Sequence, residues 1–349
     1  MVVLSAPTKT FPGFIATATF DMKADLLLRQ TRMHFPRFAL DEIKINPIEK
    51  GGSGRKFYRV QCSAEQTLIL VKYDLERDEN RHYVEIARFL EAHKIRAPKI
   101  YFHDPDEGLI WLEDLGECDL FGYRHDTWMV RRAFYESALD EISKLHRLPK
   151  VVCLEMREKL PVEFNAALYR WEQNYFFENC LDRYFRIDKQ EVASLASLPK
   201  LNQIAQHLEE LPRVLVHRDF QSQNIIVRNS GAYLIDFQGM RPGLAEYDVA
   251  SLLYDPYVAL ADVERAELVE HYCGGAPSKS FSETLRLCAM QRLMQALGAY
   301  GFLGLVKGHK QFLNHIPAAL KSLSETVSTI TGLEEIVETI SRLADERVR

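Results

Sequence analysis

The stretch VLVHRDFQSQNIIV (214–227), followed after a short turn by AYLIDFQG (232–239), decides the fold. Short apolar segments bracket a polar loop, and each segment reads as a strand. Four polar residues fall at the strand ends, where a hairpin would bring them together: His217, Asp219, Asn224 and Asp236. Carboxylate and amide oxygens are the ligands that Mg²⁺ prefers, and a carboxylate beside them can orient and deprotonate an alcohol. The alternative is a polar hairpin whose turn residues only satisfy one another.

Composition excludes several classes of protein. The 349 residues are 47% hydrophobic and 27% charged, with a net charge of −5, which is unlike a disordered chain or a nucleic-acid binder that neutralises phosphates in bulk. Six cysteines without a C-x-x-C pair argue against a zinc ribbon and fit a reducing compartment. The longest uncharged stretch, Leu293 to Val306, has fourteen residues, whereas a membrane-spanning helix needs ~20. We therefore expect a cytoplasmic protein without membrane or nucleic-acid partners, and read Thr10 to Phe20 as irregular.

The two halves of the chain differ in their patterning. Alternating and apolar runs predict strands at 43–48, 56–62, 67–73, 99–102 and 109–112, and helical spacing predicts helices at 23–32 and 78–92. Residues 128–345 read mostly as helices around the strand-rich stretch at 214–238. The pattern predicts an α+β fold with a small β-rich N-lobe carrying one main helix (1–114) and a larger, mostly helical C-lobe (115–349).

A glycine cluster and a lysine in the first lobe each have a structural and a functional interpretation. Gly51, Gly52 and Gly54 surround Ser53, and such a loop lets backbone N–H groups approach a phosphate; it equally suits a plain hairpin turn. Lys72 ends the apolar run LILVK. It would either protect an edge strand or hold its ammonium against phosphate oxygens.

At the 214–239 stretch the chain resembles a known family. His217-Arg218-Asp219 followed by Asn224 resembles the catalytic loop of protein kinases, and Asp236-Phe237-Gln238 resembles their Asp-Phe-Gly element. Gln238 in place of the glycine is typical of the aminoglycoside phosphotransferase branch, which phosphorylates small molecules. The resemblance runs from the glycine loop to the C-terminal helices and implies a protein-kinase-like two-lobed fold.

The resemblance also implies roles for individual residues. Asp219 would orient the acceptor hydroxyl and take its proton, and Asn224 and Asp236 would hold Mg²⁺. In the nucleotide site, Lys72 would contact the α- and β-phosphates of ATP. The other nucleotide-site residues are the loop Gly51, Gly52, Ser53 and Gly54, which would cover the triphosphate, and the backbone around Glu113 to Leu115, which would meet the adenine.

Two further acidic residues follow from the resemblance. Glu85, thirteen residues after Lys72, is favoured over Glu79 as the ion-pair partner of that lysine, although an ordinary solvated helix residue would look the same. Asp248 in EYDVASLL would open a helix and accept backbone N–H bonds from the catalytic loop.

Two strings in the second lobe bear on the acceptor. RWEQNYF (170–176) and MQRLMQALGAYGF (290–302) resemble segments of the bacterial anomeric kinases of N-acetylmuramate and N-acetylglucosamine. The resemblance implies that Glu172, Gln291 and Arg292 bind the sugar; the alternative for each is a surface helix residue. Trp171, Tyr175 and Phe176 are expected to be core aromatics rather than a sugar platform.

The sequence thus predicts a monomeric phosphotransferase that uses ATP and Mg²⁺ to phosphorylate a hydroxyl of a small molecule, an amino sugar. Two alternatives remain open. One is a kinase of another small alcohol, such as an aminoglycoside, choline or homoserine. The other is a pseudokinase that binds nucleotide as an interaction module, against which the competent residues at Lys72, Asp219, Asn224 and Asp236 argue.

Overall fold

The computed structural model describes residues 13–38, 41–48, 55–63, 66–75 and 82–348. The chain forms two compact units. The first comprises Met1–Leu75 and Ile100–Asp114, and the second comprises Glu76–Lys99 and Leu115–Arg349. The predicted loop of Gly51, Gly52, Ser53 and Gly54 lies outside the described residues, as does Glu79.

The first unit contains a five-stranded antiparallel sheet. Its strands are β1 (Lys44–Ile48), β2 (Lys56–Gln61), β3 (Thr67–Lys72), β4 (Ile100–Asp104) and β5 (Leu109–Glu113), in the order β1-β2-β3-β5-β4. All five predicted strands are present within two residues of their predicted ends. Apolar residues alternate or cluster there, and most side chains of the central strands β3 and β5 are at least half-buried, whereas the edge strands β1 and β4 have no fully buried side chain.

Helix α1 (Gly13–His34) packs against the buried core of this sheet. Leu27 packs with Leu70 and Trp111, which face each other across β3 and β5. The indole nitrogen of fully buried Trp111 donates a 3.0 Å hydrogen bond to Thr31, whose hydroxyl donates to the Leu27 carbonyl. The interpretation of Thr10–Phe20 as irregular is wrong from Gly13 onward. Thr17, Thr19 and Gly13 lower the helix propensity of this part, but propensity is a weak guide to local structure.

The second unit is mostly helical. Its helices are α2 (Tyr83–Ala92), α3 (Trp128–His146), α4 (Lys150–Arg157), α5 (Ala166–Phe176), α6 (Lys189–Ala196), α7 (Pro199–Glu210), α8 (Ala245–Leu253), α9 (Asp262–Cys273), α10 (Lys279–Gly301), α11 (Ile316–Val327) and α12 (Glu334–Val348). Its strands are β6 (Val214–Val216), β7 (Ile225–Arg228), β8 (Gly231–Leu234) and β9 (Arg241–Gly243). Among the described residues, no helix combines the length and apolar character that crossing a membrane requires.

Helix α2 belongs to the second unit by its contacts, although the predicted N-lobe included it. Tyr83 stacks on Phe237 with ring centroids 4.7 Å apart, and Glu85 forms a 2.6 Å ion pair with Lys159. These partners lie far along the chain, so the pattern of α2 alone did not indicate them. The functional division at residue 114 stays a prediction.

Candidate active site

The strands of the second unit position the polar loop and the aspartate turn. β6 pairs with β9, and β7 and β8 form a hairpin, so residues 217–224 and 235–240 are both connections at strand ends. The Asn224 side-chain amide donates a 2.9 Å hydrogen bond to the Asp219 carbonyl. A Cβ on Gly239 would lie 3.7 Å from Asp219 Oδ2, so the turn after Asp236 passes beside that carboxylate. The structure therefore brings the loop of Asp219 and Asn224 next to the Asp236 turn.

Asp248 anchors the catalytic loop from the first turn of α8. Its carboxylate is fully buried and accepts hydrogen bonds from the backbone N–H groups of His217 (2.6 Å) and Arg218 (2.8 Å). The loop needs this support because Arg218 adopts a left-handed conformation, with φ of 78°. His146 Nε2 lies 3.1 Å from the same carboxylate. The predicted contact between Asp248 and the loop backbone is confirmed.

Replacing Asp248 by alanine should therefore destabilise the second unit. The change leaves two buried backbone donors without their acceptor, and we expect the free energy of unfolding to fall by about 3 kcal/mol. Urea unfolding followed by circular dichroism measures this. Asp262→Ala is the matched control, because Asp262 also stands in the first turn of a helix, with a side chain that is 94% exposed. Equal unfolding midpoints for the two variants would contradict the anchoring role.

Positive charge surrounds Asp219. Arg292 Nη1 lies 3.4 Å from Asp219 Oδ1, and the Arg292 side chain is only 8% exposed whereas that of Asp219 is 31% exposed. Desolvation raises the pKa of Asp219, but the charges of Arg218, Arg292, His217 and Arg241 outweigh it and lower the pKa below its usual value. Asp219 is therefore a carboxylate at neutral pH, partly open to solvent and held beside an arginine.

Glu172 lies in the same buried cluster. It accepts a short hydrogen bond from the Tyr247 hydroxyl through Oε1, while Oε2 has no hydrogen-bond partner within the described part of the chain. The Arg292 guanidinium carbon stands 5.6 Å from the centroid of the Tyr247 ring. Three helices, α5, α8 and α10, thus bring these side chains together with Asp219. Burial raises the pKa of Glu172 to about 7, against the lowering effect of the Tyr247 hydrogen bond and of Arg292 and Arg218.

Gln291 is not brought to this cluster. Its side chain is fully buried between α5 and α10, where Nε2 donates to the Tyr169 carbonyl (3.2 Å) and Oε1 accepts from Gln173 (3.0 Å). Both ends of the amide thus serve helix packing. A role for Gln291 in sugar binding stays a prediction that these contacts do not support.

The aromatic residues of α5 divide into two kinds. Phe176 is fully buried, as expected for a core residue. Trp171 is 48% exposed and stacks on Tyr175 with centroids 4.9 Å apart, so the core assignment is wrong for Trp171. Trp171 and half-buried Tyr175 lie one turn apart on a partly exposed side of α5, whereas Glu172, Gln173 and Phe176 are buried.

The chemistry of the donor set fits Mg²⁺. Asn224 donates to the Asp219 carbonyl through Nδ2. This bond does not engage Oδ1 of Asn224, and an amide oxygen is the atom that ligates a metal. Asp236 adopts a left-handed conformation (φ 64°), and Gln238 donates a 3.1 Å hydrogen bond to its Oδ1. No cluster of three or more His, Cys, Asp or Glu able to hold a metal occurs among the described residues. One amide and one carboxylate suit a magnesium ion that takes further oxygens from phosphates and water.

The structure shows where the remaining predicted nucleotide ligands lie, and their role stays a prediction. In the first unit, Lys72 ends β3, donates to the Glu107 carbonyl and lies 4.0 Å from the Glu107 carboxylate, and Glu113 ends β5. In the second unit, Leu115 is buried and Glu85 binds Lys159, whose hydrogen bond lowers the pKa of Glu85. The proposed pairing of Lys72 with Glu85 stays a prediction.

Sequence reasoning missed Tyr247 and His146. Tyr247 directly precedes Asp248 in an apolar helix, and a buried tyrosine hydroxyl needs a hydrogen-bond partner, so a signal was present. The partner itself lies seventy-five residues away and was not visible in the sequence. His146 likewise ends an apolar helical face and bridges Asp248 and the Tyr272 hydroxyl.

Comparison with known proteins identifies the family. A sequence model described as the phosphotransferase enzyme family matches residues 44–281. The chain belongs to that family. This phosphotransferase is 24% identical, over 85% of its length and 88% of the relative, to a Pseudomonas aeruginosa protein named N-acetylmuramate/N-acetylglucosamine kinase. The chain is therefore an enzyme that transfers phosphoryl groups, as the sequence predicted.

Solved structures confirm the protein-kinase-like fold of this phosphotransferase. It is similar to a choline kinase from Cryptosporidium parvum, with a TM-score of 0.61, 14% identity, and coverage of 90% of this chain and 99% of that one. It is also similar to an ADP-bound aminoglycoside phosphotransferase, with a TM-score of 0.58, 14% identity, and coverage of 86% and 97%. At this identity the likeness concerns the fold alone.

Proposed function

We propose that the enzyme transfers the γ-phosphoryl group of ATP to the anomeric hydroxyl of an amino sugar, N-acetylmuramate or N-acetylglucosamine. The names of the curated relatives support this proposal, as does the ADP in a structural neighbour. The observation that carries it is the charge around Asp219. A buried arginine, Arg292, stands within 3.4 Å of the carboxylate that would meet the acceptor.

This charge distribution discriminates between acceptors. Aminoglycosides and choline are cationic, and because the charges of Arg292, Arg218 and Arg241 offset that of the Asp219 carboxylate, a cation entering here would gain little attraction. N-acetylglucosamine is neutral, and N-acetylmuramate carries a lactyl carboxylate that a guanidinium binds with charge-assisted hydrogen bonds. The site therefore favours neutral or anionic sugars over the acceptors named for the structural neighbours.

The residues of the chain would divide the chemistry as follows. Asp219 orients the sugar hydroxyl and accepts its proton, since its lowered pKa keeps it ionised at neutral pH. Glu172 accepts a hydrogen bond from a second sugar hydroxyl through the open Oε2. Asn224 and Asp236 hold Mg²⁺, which neutralises charge on the phosphates when bound. Lys72 contributes a positive charge to phosphate binding.

Arg292→Ala should change the preference between the two sugars. Because the guanidinium would lose its contact with the lactyl carboxylate, we expect the KM for N-acetylmuramate to rise about 10-fold or more, and that for N-acetylglucosamine to rise less. The KM for ATP should change little. Steady-state kinetics with both sugars measure the ratio. Arg286→Ala, six residues earlier on α10, is the matched control.

A panel of candidate acceptors tests which molecule the enzyme phosphorylates. Purified enzyme with ATP and Mg²⁺ should consume N-acetylmuramate and N-acetylglucosamine but not choline, homoserine or an aminoglycoside. Preferred consumption of a cationic acceptor would overturn the charge argument. ATP binding without phosphate transfer to any acceptor would instead favour the pseudokinase interpretation.

A further inference from the structure

Tyr247 contacts both side chains that the proposed function assigns to the acceptor. Its hydroxyl donates to Glu172 Oε1, and the Arg292 guanidinium stands over its ring at 5.6 Å. The tyrosine is fully buried in α8, one residue before Asp248, the anchor of the catalytic loop. It therefore links α5 and α10 at the point where both approach Asp219.

We propose that Tyr247 is a positioning residue that holds the acceptor-binding side chains Glu172 and Arg292 in place. Its hydroxyl fixes the Glu172 carboxyl group so that Oε2 is presented to an acceptor hydroxyl, and its ring seats Arg292 beside Asp219. This inference rests on the proposed function, because it assumes that Glu172 and Arg292 meet the acceptor.

The unpaired oxygen of Glu172 supports a ligand-facing role. Glu172 is only 2% exposed, and its Oε2 has no partner among the described residues, although a buried carboxylate oxygen ordinarily accepts a hydrogen bond. A hydroxyl of the bound acceptor would supply the missing donor. The hydrogen bond from Tyr247 engages Oε1, so that Oε2 is the oxygen that still needs a donor.

The titratable and charged groups that face Glu172 come from several elements. They are Tyr247 on α8, Arg292 and Cys288 on α10, Tyr169 on α5, and Arg218 and Asp219 on the catalytic loop. Burial raises the pKa of Glu172 to about 7, and the Tyr247 hydrogen bond opposes that rise. Removal of the hydroxyl should therefore raise the pKa of Glu172 further and leave less carboxylate at neutral pH.

Tyr247→Phe tests this role, with Tyr169→Phe as the matched control. Tyr169 is also a fully buried tyrosine of the second unit, but its hydroxyl has no hydrogen-bond partner among the described residues. We expect Tyr247→Phe to raise the KM for both sugars about 10-fold at pH 7, because Glu172 loses the hydrogen bond that orients its carboxyl group. The KM for ATP should stay unchanged, and Tyr169→Phe should match the wild type for all substrates.

A carboxyl ¹³C NMR titration of Glu172 gives a readout that needs no substrate. In Tyr247→Phe the pKa should rise above the wild-type value, and in Tyr169→Phe it should not. If Tyr247→Phe and Tyr169→Phe agree in both KM and pKa, the positioning role is overturned. If the wild type phosphorylates neither sugar, the proposed function fails, and the titration alone then decides whether Tyr247 controls the Glu172 carboxyl group.

Discussion

Replacing Asp219 by alanine should lower turnover by about 10²–10⁴-fold, as the loss of a positioned general base does. The residue is the carboxylate that the catalytic loop holds beside the Asp236 turn, and the neighbouring positive charges keep it ionised. ATP affinity should change little, because the predicted nucleotide ligands are other residues. Initial rates of ADP formation with N-acetylglucosamine, together with calorimetric titration of ATP, measure the two quantities.

Asp219→Asn removes the basic carboxylate but keeps the packing of the side chain. The amide keeps the size of the side chain and can still accept from Arg292, which stands 3.4 Å from the carboxylate, but it cannot take the acceptor proton. We expect a loss of turnover similar to that in Asp219→Ala. Asp262→Ala, which removes an exposed aspartate, should turn over normally. Near-wild-type turnover in Asp219→Asn would remove the residue from its role as base.

Asp236→Ala should abolish activity and weaken the binding of Mg·ATP. Asp236 supplies the one carboxylate of the proposed metal site, and an alanine would leave only the Asn224 amide as a protein ligand. Calorimetric titration of ATP with and without Mg²⁺ measures the effect: the wild type should bind ATP more tightly with the metal, and the variant should not show that difference. Retention of full wild-type activity in excess chelator would show that the metal assignment is wrong.

The sequence predictions that the structure confirms rested on patterns within short segments of the chain. The five strands of the first unit could be located because alternation and turn residues act over a few positions. The contact of Asp248 with the loop backbone followed from a resemblance of motifs and proved correct. In each case, the information lay within one short segment or one well-defined motif.

Long-range packing explains what could not be predicted. Gln291 and Arg292 are adjacent in sequence, yet one bridges Gln173 and the Tyr169 carbonyl while the other reaches Asp219. Adjacent helix positions point about 100° apart, so the packing of α5 and α8 against α10 decides which of them faces the site. The link from Tyr247 to Glu172 likewise depends on how two helices meet. The Lys72–Glu85 pair, the monomeric state and the cytoplasmic location stay predictions.

The product of the reaction tests the central proposal most directly. Purified enzyme, incubated with ATP, Mg²⁺ and either N-acetylmuramate or N-acetylglucosamine, can be followed by phosphorus NMR. We expect a new resonance whose coupling to the anomeric proton identifies a sugar 1-phosphate, together with an equal amount of ADP, and growth of that resonance about 10²–10⁴-fold slower with Asp219→Ala. A folded wild-type sample that consumes neither sugar, or that places the phosphate on another hydroxyl, would contradict the proposed function.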